Sequence, residues 1–600
     1  MEPRPSDAPL GLATRLKHLL IGRPRDLQDR SIYHHLSLIA FLAWVGLGAD
    51  GLSSSAYGPE EAFKTLEEHS YLAFGLAGLM AVTVLIISAA YSRIIEQFPH
   101  GGGGYVVATK LLGKGAGVVS GSALLVDYVL TITVSIAAAG DALFSLMPIE
   151  WQTWKLPAEV LFIIFLTVLN LRGVRESVIT LTPVFLLFVV THLILIAGGI
   201  LAHSSQFPAT IQHAKTGFSS GLATLGMGGL LLRFIHAYSL GGGTYTGIEA
   251  VSNGLAIMRE PRVKTAKRTM LYMGTSLAFT ASGLLFCYLL WHVSPVEGKT
   301  MNAVLTERFV QVVPLGKTFV FLTLVSEGAL LVVAAQAGFV DGPRVLANMA
   351  VDSWMPRRFA ALSDRLTTQN GIILMGLASL AALLYTQGDV GHIVVMYSIN
   401  VFLTFSLSML AMLLHSIRAK EPGARSAGHV FLFLVGLLLC VTILVITVME
   451  KFLLGGWVTL VVTGSVIALA FIIHRHYGLV TAKLGMLYSQ LTDLPRTNAG
   501  SLAEPDPAKP VGAILVAGYG GLGLHTFLNI FRQFPNHFRG VVFVSVGVID
   551  SREFKGEGTV EALSANVEEN LKKYVEFSRG QGIPATYRMA IGTDAVAEGE

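Results

Sequence analysis

Five acidic residues lie inside stretches otherwise apolar enough to cross a membrane: Asp50, Asp127, Asp141, Glu249 and Glu327. A carboxyl at bilayer depth is costly and defaults to a functional role. Asp50 is the most informative of them. It sits in FLAWVGLGADGLSSSAYGPEE, where Gly46, Gly48, Gly51 and the run Ser53-Ser54-Ser55 break an apolar span near its middle. A fixed negative charge there repels a substrate carboxylate and attracts a cation. A hard monovalent cation needs several oxygens to replace its lost hydration water, and oxygens are at hand. Tyr57 follows Asp50 by about two helical turns. The segment VDYVLTITVS puts Tyr128, Thr131 and Ser135 at i, i+3 and i+7 on one helical face. Thr244, Tyr245 and Thr246 flank a second break at Gly241-Gly242-Gly243, and Tyr397 and Ser398 lie in a later span. Ordinary interhelical hydrogen bonding is the competing account of the Tyr-Thr-Ser face.

A proton carrier is also needed if transport is coupled. Glu249 lies three residues past Thr246, shares its face, and could alternate between protonated and ionised forms. Asp127 is a rival, although it points about 100° away from Tyr128 around the helix. Glu327 is a second rival. Arg233 reads as an interfacial side chain, and His192 and His236 read as polar packing residues rather than ligands. A structural, permanently protonated Glu249 is the bland alternative.

The elements that must hold these residues follow from composition. The chain has 600 residues, of which 52% are hydrophobic and 14% charged, against about 25% charged in an ordinary soluble domain. Mean hydropathy is +0.61. This excludes a soluble enzyme over most of the length, and a disordered or fibrous protein. The net charge of +4 gives no nucleic-acid footprint. Cys287 and Cys440 both lie in apolar runs, so no disulfide framework is expected. No catalytic nucleophile–base pairing or metal-ligand spacing is present.

Apolar runs at 36–56, 71–95, 118–146, 157–171, 178–201, 229–257, 270–292, 318–340, 371–386, 391–414, 429–449 and 455–474 predict about twelve membrane helices. A β-barrel would alternate in short segments. Residues 1–30 are polar and basic, and no cleaved leader is expected. Arg and Lys concentrate in one alternating set of loops: Arg93 to Lys114, Arg172 and Arg175, Arg259 to Arg268, Arg344 to Arg365, and Arg418 to Arg425. The positive-inside rule then puts both termini in the cytoplasm. The breaks fall in spans 1 and 6, which predicts two inverted five-helix halves with a site between them at mid-membrane. Glycine used for helix packing is the alternative account of each break.

After residue 476 the composition shifts. A linker over 476–510, Pro- and Ala-rich near 495–510, leads to VGAILVAGYGGLGLHTFLNIF, which reads as strand, glycine turn and helix. A second strand, a helix and a third strand follow, which predicts a small parallel α/β domain over 511–600. Gly518, Gly520, Gly521 and Gly523 could bring backbone to a phosphate at the helix start, and a tight turn without ligand is the alternative. The sheet looks short, so a complete nucleotide fold is in question.

The segments GADGLSSSAYGPEE, PHGGGGYVVA, NLRGVRES, GGGTYTGIEAVSN and RVLANMAVDSWMPRRFAALSDR resemble the amino acid–polyamine–organocation superfamily over most of 31–475. The aspartate of span 1 followed by tyrosine seven residues on is closer to the KimA-type potassium–proton symporters of the KUP group than to amino-acid permeases. The resemblance implies potassium contacts at Asp50, Tyr57, Tyr128, Thr131, Ser135, Thr246 and Tyr397, and proton coupling at Glu249. It also implies no cofactor and a homodimer made through a cytosolic domain related to universal stress proteins, with cyclic di-AMP as an inhibitor bound there.

The expectation is therefore an all-α membrane protein with 5+5 inverted repeats and a small cytosolic α/β domain. It would be a potassium–proton symporter of a bacterial inner membrane. An amino-acid or polyamine permease is the alternative, and a membrane-bound nucleotide sensor is a third reading.

Overall fold

The computed structural model describes residues 38–600, apart from 100, 102, 174–177, 315, 364, 419–426, 453–454, 492–503, 507, 550–556, 594, 596–597 and 599–600. The expected tail 1–30 and most of the linker at 495–510 lie outside the described residues. The chain falls into two compact units, one of Leu36–Val345 with Gly371–Ala468, the other holding Leu346–Asn370 and Leu469–Glu600.

Among the described residues, eleven helical runs are long and apolar enough to cross a membrane. The first, Ala40–Gln97, has 58 residues. At 1.5 Å per residue it exceeds twice the apolar thickness of about 30 Å. It contains α1 (Ala40–Ser53), a 3-10 turn, α2 (Gly58–Leu66) and α3 (Ala73–Gln97). Glu67, at φ 48°, interrupts the helix between α2 and α3, so the run holds two crossings, which makes twelve among the described residues. The rest are α5 (Lys114–Phe144), after the short α4 (Gly104–Leu111), then α6 (Lys155–Leu171), α7 (Val178–Ala202), α8 with α9 (Phe207–Leu240, Ala250–Asn253), and α10 (Arg262–Leu290). After α11 (Met301–Val312) come α12 (Gly316–Val351), α13 (Gln369–Thr386), α14 (Val390–Arg418), α15 (Ala427–Lys451) and α16 (Gly456–Leu491).

Both predicted interruptions exist, but the first is displaced. Gly46, Gly48 and Gly51 lie within α1, and so does Asp50, in its last turn. An isolated glycine costs a helix only about 1 kcal/mol, and close neighbours fill the space each leaves. A Cβ on Gly48 would sit 2.7 Å from Trp44, and one on Gly51 3.2 Å from Met273. The helix instead gives way at Ser54–Tyr57. There the hydroxyls of Ser53, Ser54 and Ser55 donate to the carbonyls of Asp50, Gly51 and Leu52, three residues back. That competes with the helical ladder and caps the freed carbonyls. The second break begins where expected, at Gly241. Its helix starts earlier than predicted, at Phe207, with a kink at Gly226 (φ 69°).

In the other unit, β1 (Val511–Leu515), α17 (Gly521–Gln533), β2 (Gly540–Val548), α18 (Glu557–Gly580) and β3 (Ala585–Gly592) alternate as predicted. The sheet is parallel in the order β1-β2-β3. Its core joins Ile514, Phe527, Phe543, Tyr574 and Phe577.

Candidate functional site

Four crossings, α3, α5, α6 and α7, lie between the two broken spans, so the broken spans run in opposite directions, and their breaks touch. Ser54 Oγ donates to the Thr244 carbonyl at 2.7 Å. A Cβ on Gly58 would meet the Thr244 backbone nitrogen at 2.7 Å. Beyond the 3-10 turn Gly241–Tyr245, Thr246 is extended (φ −72°, ψ 158°) and Gly247 takes φ 75°. That left-handed residue lets the chain lie against the end of α1. A Cβ on Gly247 would come within 2.6 Å of Gly51 N and 2.9 Å of Asp50 Cγ. In sequence Gly241-Gly242-Gly243 stand out as a run, whereas Gly247 is marked by nothing but its place after Thr-Tyr-Thr.

Asp50 is 7% exposed. Among the described residues it has no Lys or Arg partner, and its electrostatic neighbour is another carboxyl, Asp341. The Tyr57 phenol interacts with the side chains of Thr246 and Tyr397 and feels the charges of Asp50 and Asp127. Tyr397 interacts with Thr131. Thr246 Oγ1 donates to the Gly243 carbonyl at 2.8 Å, which fixes its rotamer. Tyr128 receives a hydrogen bond from Asn253 Nδ2 at 2.7 Å. Its hydroxyl donates to Glu249 Oε1 at 3.5 Å, and Tyr91 donates to Oε2 at 3.4 Å. Both distances are at the outer limit for a hydrogen bond, so Glu249 is loosely held.

The structure therefore gathers Asp50, Tyr57, Tyr128, Thr131, Thr246, Glu249 and Tyr397 around the two breaks. Ser135 is buried on the same helix one turn beyond Thr131. Asp127 belongs to the cluster, because its charge couples to Glu249 and Asp50. Its Oδ1 is buried without a hydrogen bond. A rotation of about 100° around α5 does not remove it from a site that other helices surround. Asp341 was missed altogether. It couples to Asp50 and Glu249 and pairs with Arg344 at 3.2 Å. In sequence it reads as one half of an ordinary i,i+3 ion pair.

Glu327 lies elsewhere, hydrogen-bonded by Asn302 and facing His192. Asp141 pairs with Lys155. Arg233 is partly exposed and lies 3.8 Å from Glu67. A cavity of about 390 Å³ reaches Tyr57 and is lined also by Glu60, Glu61, Lys64, Asp141 and Glu327.

In the tail, Gly518 and Gly520 lie in the turn between β1 and α17 and Gly521 and Gly523 in the first turn of α17, and the protein closes the turn with its own tyrosine. The Tyr574 hydroxyl donates to the Gly518 carbonyl at 2.8 Å and accepts from the Gly520 N–H at 3.1 Å. A Cβ on Gly523 would collide with that hydroxyl.

A family model described as amino acid permease matches residues 54–473. The potassium transporter KimA of Bacillus subtilis (strain 168) is 32% identical over 488 residues, covering 80% of this chain and 77% of KimA. Among solved structures, a substituted form of the manganese transporter of Eremococcus coleocola aligns with 75% of this chain and all of its own, at TM-score 0.42 and 14% identity. The same transporter with an aromatic bis-isothiourea compound gives 0.43 and 13% over 75% of this chain and 99% of its own.

Proposed function

The chain belongs to the amino acid permease family within the amino acid–polyamine–organocation superfamily of multi-pass membrane transporters, and from that premise we propose that it takes up potassium together with a proton. The observation that carries the reading is Asp50, a buried carboxylate without a basic partner among the described residues, set where both broken spans meet. Asp50 and the oxygens of Tyr57, Tyr128, Thr131, Ser135, Thr246 and Tyr397 would replace the ion's hydration shell. Glu249, held among the described residues by two long phenol hydrogen bonds, exchanges the coupled proton. The repeats then rock to expose the site to the other side.

With both termini cytoplasmic, an orientation that the basic loops support, the cavity at Tyr57 would face outward. A potential of about 100 mV, inside negative, adds roughly 2.3 kcal/mol per inward charge. The name of the KimA relative favours the same cargo. The reading extends to a bacterial inner membrane, and to a homodimer formed through residues 511–600 under control by cyclic di-AMP.

Growth under potassium limitation tests it, in a bacterial host stripped of its own uptake systems. The wild type should rescue growth and Asp50→Asn should not; equal rescue removes Asp50 from the mechanism. The carboxyl cluster would also suit a polyamine. Competition decides this: excess putrescine should leave rubidium uptake unchanged, and a block by putrescine favours the polyamine permease.

A further inference from the structure

Glu327 of α12 and His192 of α7 stand apart from the cluster at the breaks, and their contacts leave one proton unassigned. Both are buried, at 1% and 0% exposure. His192 Nδ1 lies 3.0 Å from the Phe188 carbonyl, which can only accept, so that nitrogen carries a hydrogen. Nε2 is then a lone-pair acceptor in the neutral ring. It faces Glu327 Oε2 at 3.7 Å, and neither atom has a hydrogen-bond partner among the described residues. The other carboxyl oxygen, Oε1, already accepts from Asn302 Nδ2 at 3.1 Å. Two buried acceptors facing each other are repulsive unless a proton lies on one of them. The geometry is thus made for one added proton, on Oε2 or on Nε2. The imidazole cannot turn away from this role freely, because it stacks on Phe188 at 3.8 Å.

The surrounding charges leave this pair distinct. Glu327 lines the cavity that reaches Tyr57. The cavity's other carboxylates have cations of their own: Glu60 and Glu61 share Lys64, and Asp141 pairs with Lys155. Asp389, at the mouth, is more than half exposed and faces His392. From α10, Tyr288 faces Glu327 and Glu60, and its hydroxyl is committed to Asn302 Oδ1. Among the described residues, His192 is therefore the basic group that faces Glu327.

Asn302 carries the state of this pair to the transport site. The Nδ2 that donates to Glu327 also lies 3.5 Å from the carbonyl of Ala56, which immediately precedes Tyr57 in the span 1 break. A charged Glu327 draws that amide more strongly than a neutral one, and so loosens or restores its hold on the break.

We infer that Glu327 and His192 share one exchangeable proton at the cavity wall, and that this pair is where the co-transported proton first binds. The inference rests on the symport reading and adds an entry site ahead of Glu249. The step is a bare proton transfer. A hydronium ion in the cavity gives its proton to the pair and is left as water, and the pair passes from net −1 to neutral.

The test uses the full chain in proteoliposomes, with rubidium uptake measured at a clamped, inside-negative potential. External pH is varied from about 5.5 to about 8.5. Wild-type uptake should rise about tenfold or more toward acid. Glu327→Gln cannot ionise, and His192→Gln offers Oε2 a permanent donor. Both should flatten the profile to about twofold or less while uptake continues. A variant that transports with the wild-type profile overturns the inference and leaves the symport reading standing. A flat wild-type profile sinks the symport reading and the inference with it. Should neither variant transport, infrared difference spectra decide. The acid-minus-alkaline spectrum of the wild type should contain paired carboxyl and imidazole bands that monodisperse His192→Gln lacks; identical spectra overturn the pair.

Discussion

Gly247→Ala isolates the contact on which the site's geometry depends. Two costs come directly from the structure. The residue holds φ 75°, where a side chain costs roughly 1–2 kcal/mol. The added methyl would also lie 2.6 Å from Gly51 N, 2.8 Å from the Asp50 carbonyl carbon and 2.9 Å from Asp50 Cγ. Backbone atoms cannot swing aside as a flexible side-chain end can, and overpacking of this kind costs about 1–3 kcal/mol. Together about 2–5 kcal/mol must be met by pushing the span 6 break away from Asp50. At 1.4 kcal/mol per decade that is a loss of about 30-fold or more in apparent affinity. The assay is the concentration dependence of rubidium uptake, in cells matched for the amount of protein in the membrane, with monodisperse elution in detergent as the check on folding. Gly464→Ala is the control, because a Cβ there meets open space. A Gly247→Ala protein with the wild-type half-saturation concentration would refute the claim that the two breaks are held in contact at Asp50.

Three further outcomes are expected. Ser54→Ala removes the hydroxyl that lies between the Gly51 and Thr244 carbonyls; at about 0.5–1.5 kcal/mol per lost bond, uptake affinity should fall a few-fold, with no change if the breaks are held otherwise. Tyr574→Phe leaves the Gly518 carbonyl and Gly520 N–H without their shared hydroxyl, so hydrogen exchange in the β1–α17 turn of the full chain should speed up, and unchanged protection would show that backbone alone closes the turn. The third concerns pH. The Lys572 ammonium and the Tyr587 hydroxyl beside Glu568 hold its carboxyl below the usual range. A folded-state value depressed in this way gives stability that is present above the unfolded value and is lost as pH falls through the folded one. Exchange protection of β3 should therefore weaken at acid pH in the wild type, and Glu568→Gln should lose that acid limb; an identical limb in both places its origin elsewhere.

The parts legible in the sequence are those that a single helix or strand reports by itself. Twelve crossings follow from apolar length, and the tail's strands and helices follow from alternation. Tyr128, Thr131 and Ser135 share a face because helical spacing allows nothing else. What depended on neighbours was harder to read. The glycines around Asp50 looked like a break, and they are sites of close packing by Trp44 and Met273. The real break is made by three serine hydroxyls turned back on their own carbonyls, and serine alone does not announce that choice. Asp341 and Gly247 matter because of what lies across from them. His192 reads as a packing residue in sequence, and the carboxyl it faces, Glu327, is far away along the chain.

Charge balance gives the proposed coupling a physical cause. Asp50, Asp127 and Glu249 lie within electrostatic reach of one another, and Asp341 within reach of Asp50 and Glu249; among the described residues one of the four, Asp341, has a cation of its own, Arg344. Three carboxyls are left to share the space around the two breaks. Were all three ionised, a single alkali cation would leave the buried site at −2, a charge that desolvation makes prohibitive. Were all three neutral, nothing would hold the cation against its hydration. A potassium ion is accommodated at least cost when one carboxylate faces it and its neighbours are protonated. Filling the site with the ion and filling it with protons are then one electrostatic condition, and neither is met alone. On this account Asp127→Asn or Glu249→Gln, which fixes a neighbour as neutral, should leave potassium binding possible while loosening its dependence on proton supply. Asp50→Asn should abolish the binding itself. An Asp50→Asn protein that still binds rubidium in detergent, beside a Glu249→Gln protein that does not, would reverse the assignment of the two carboxyls.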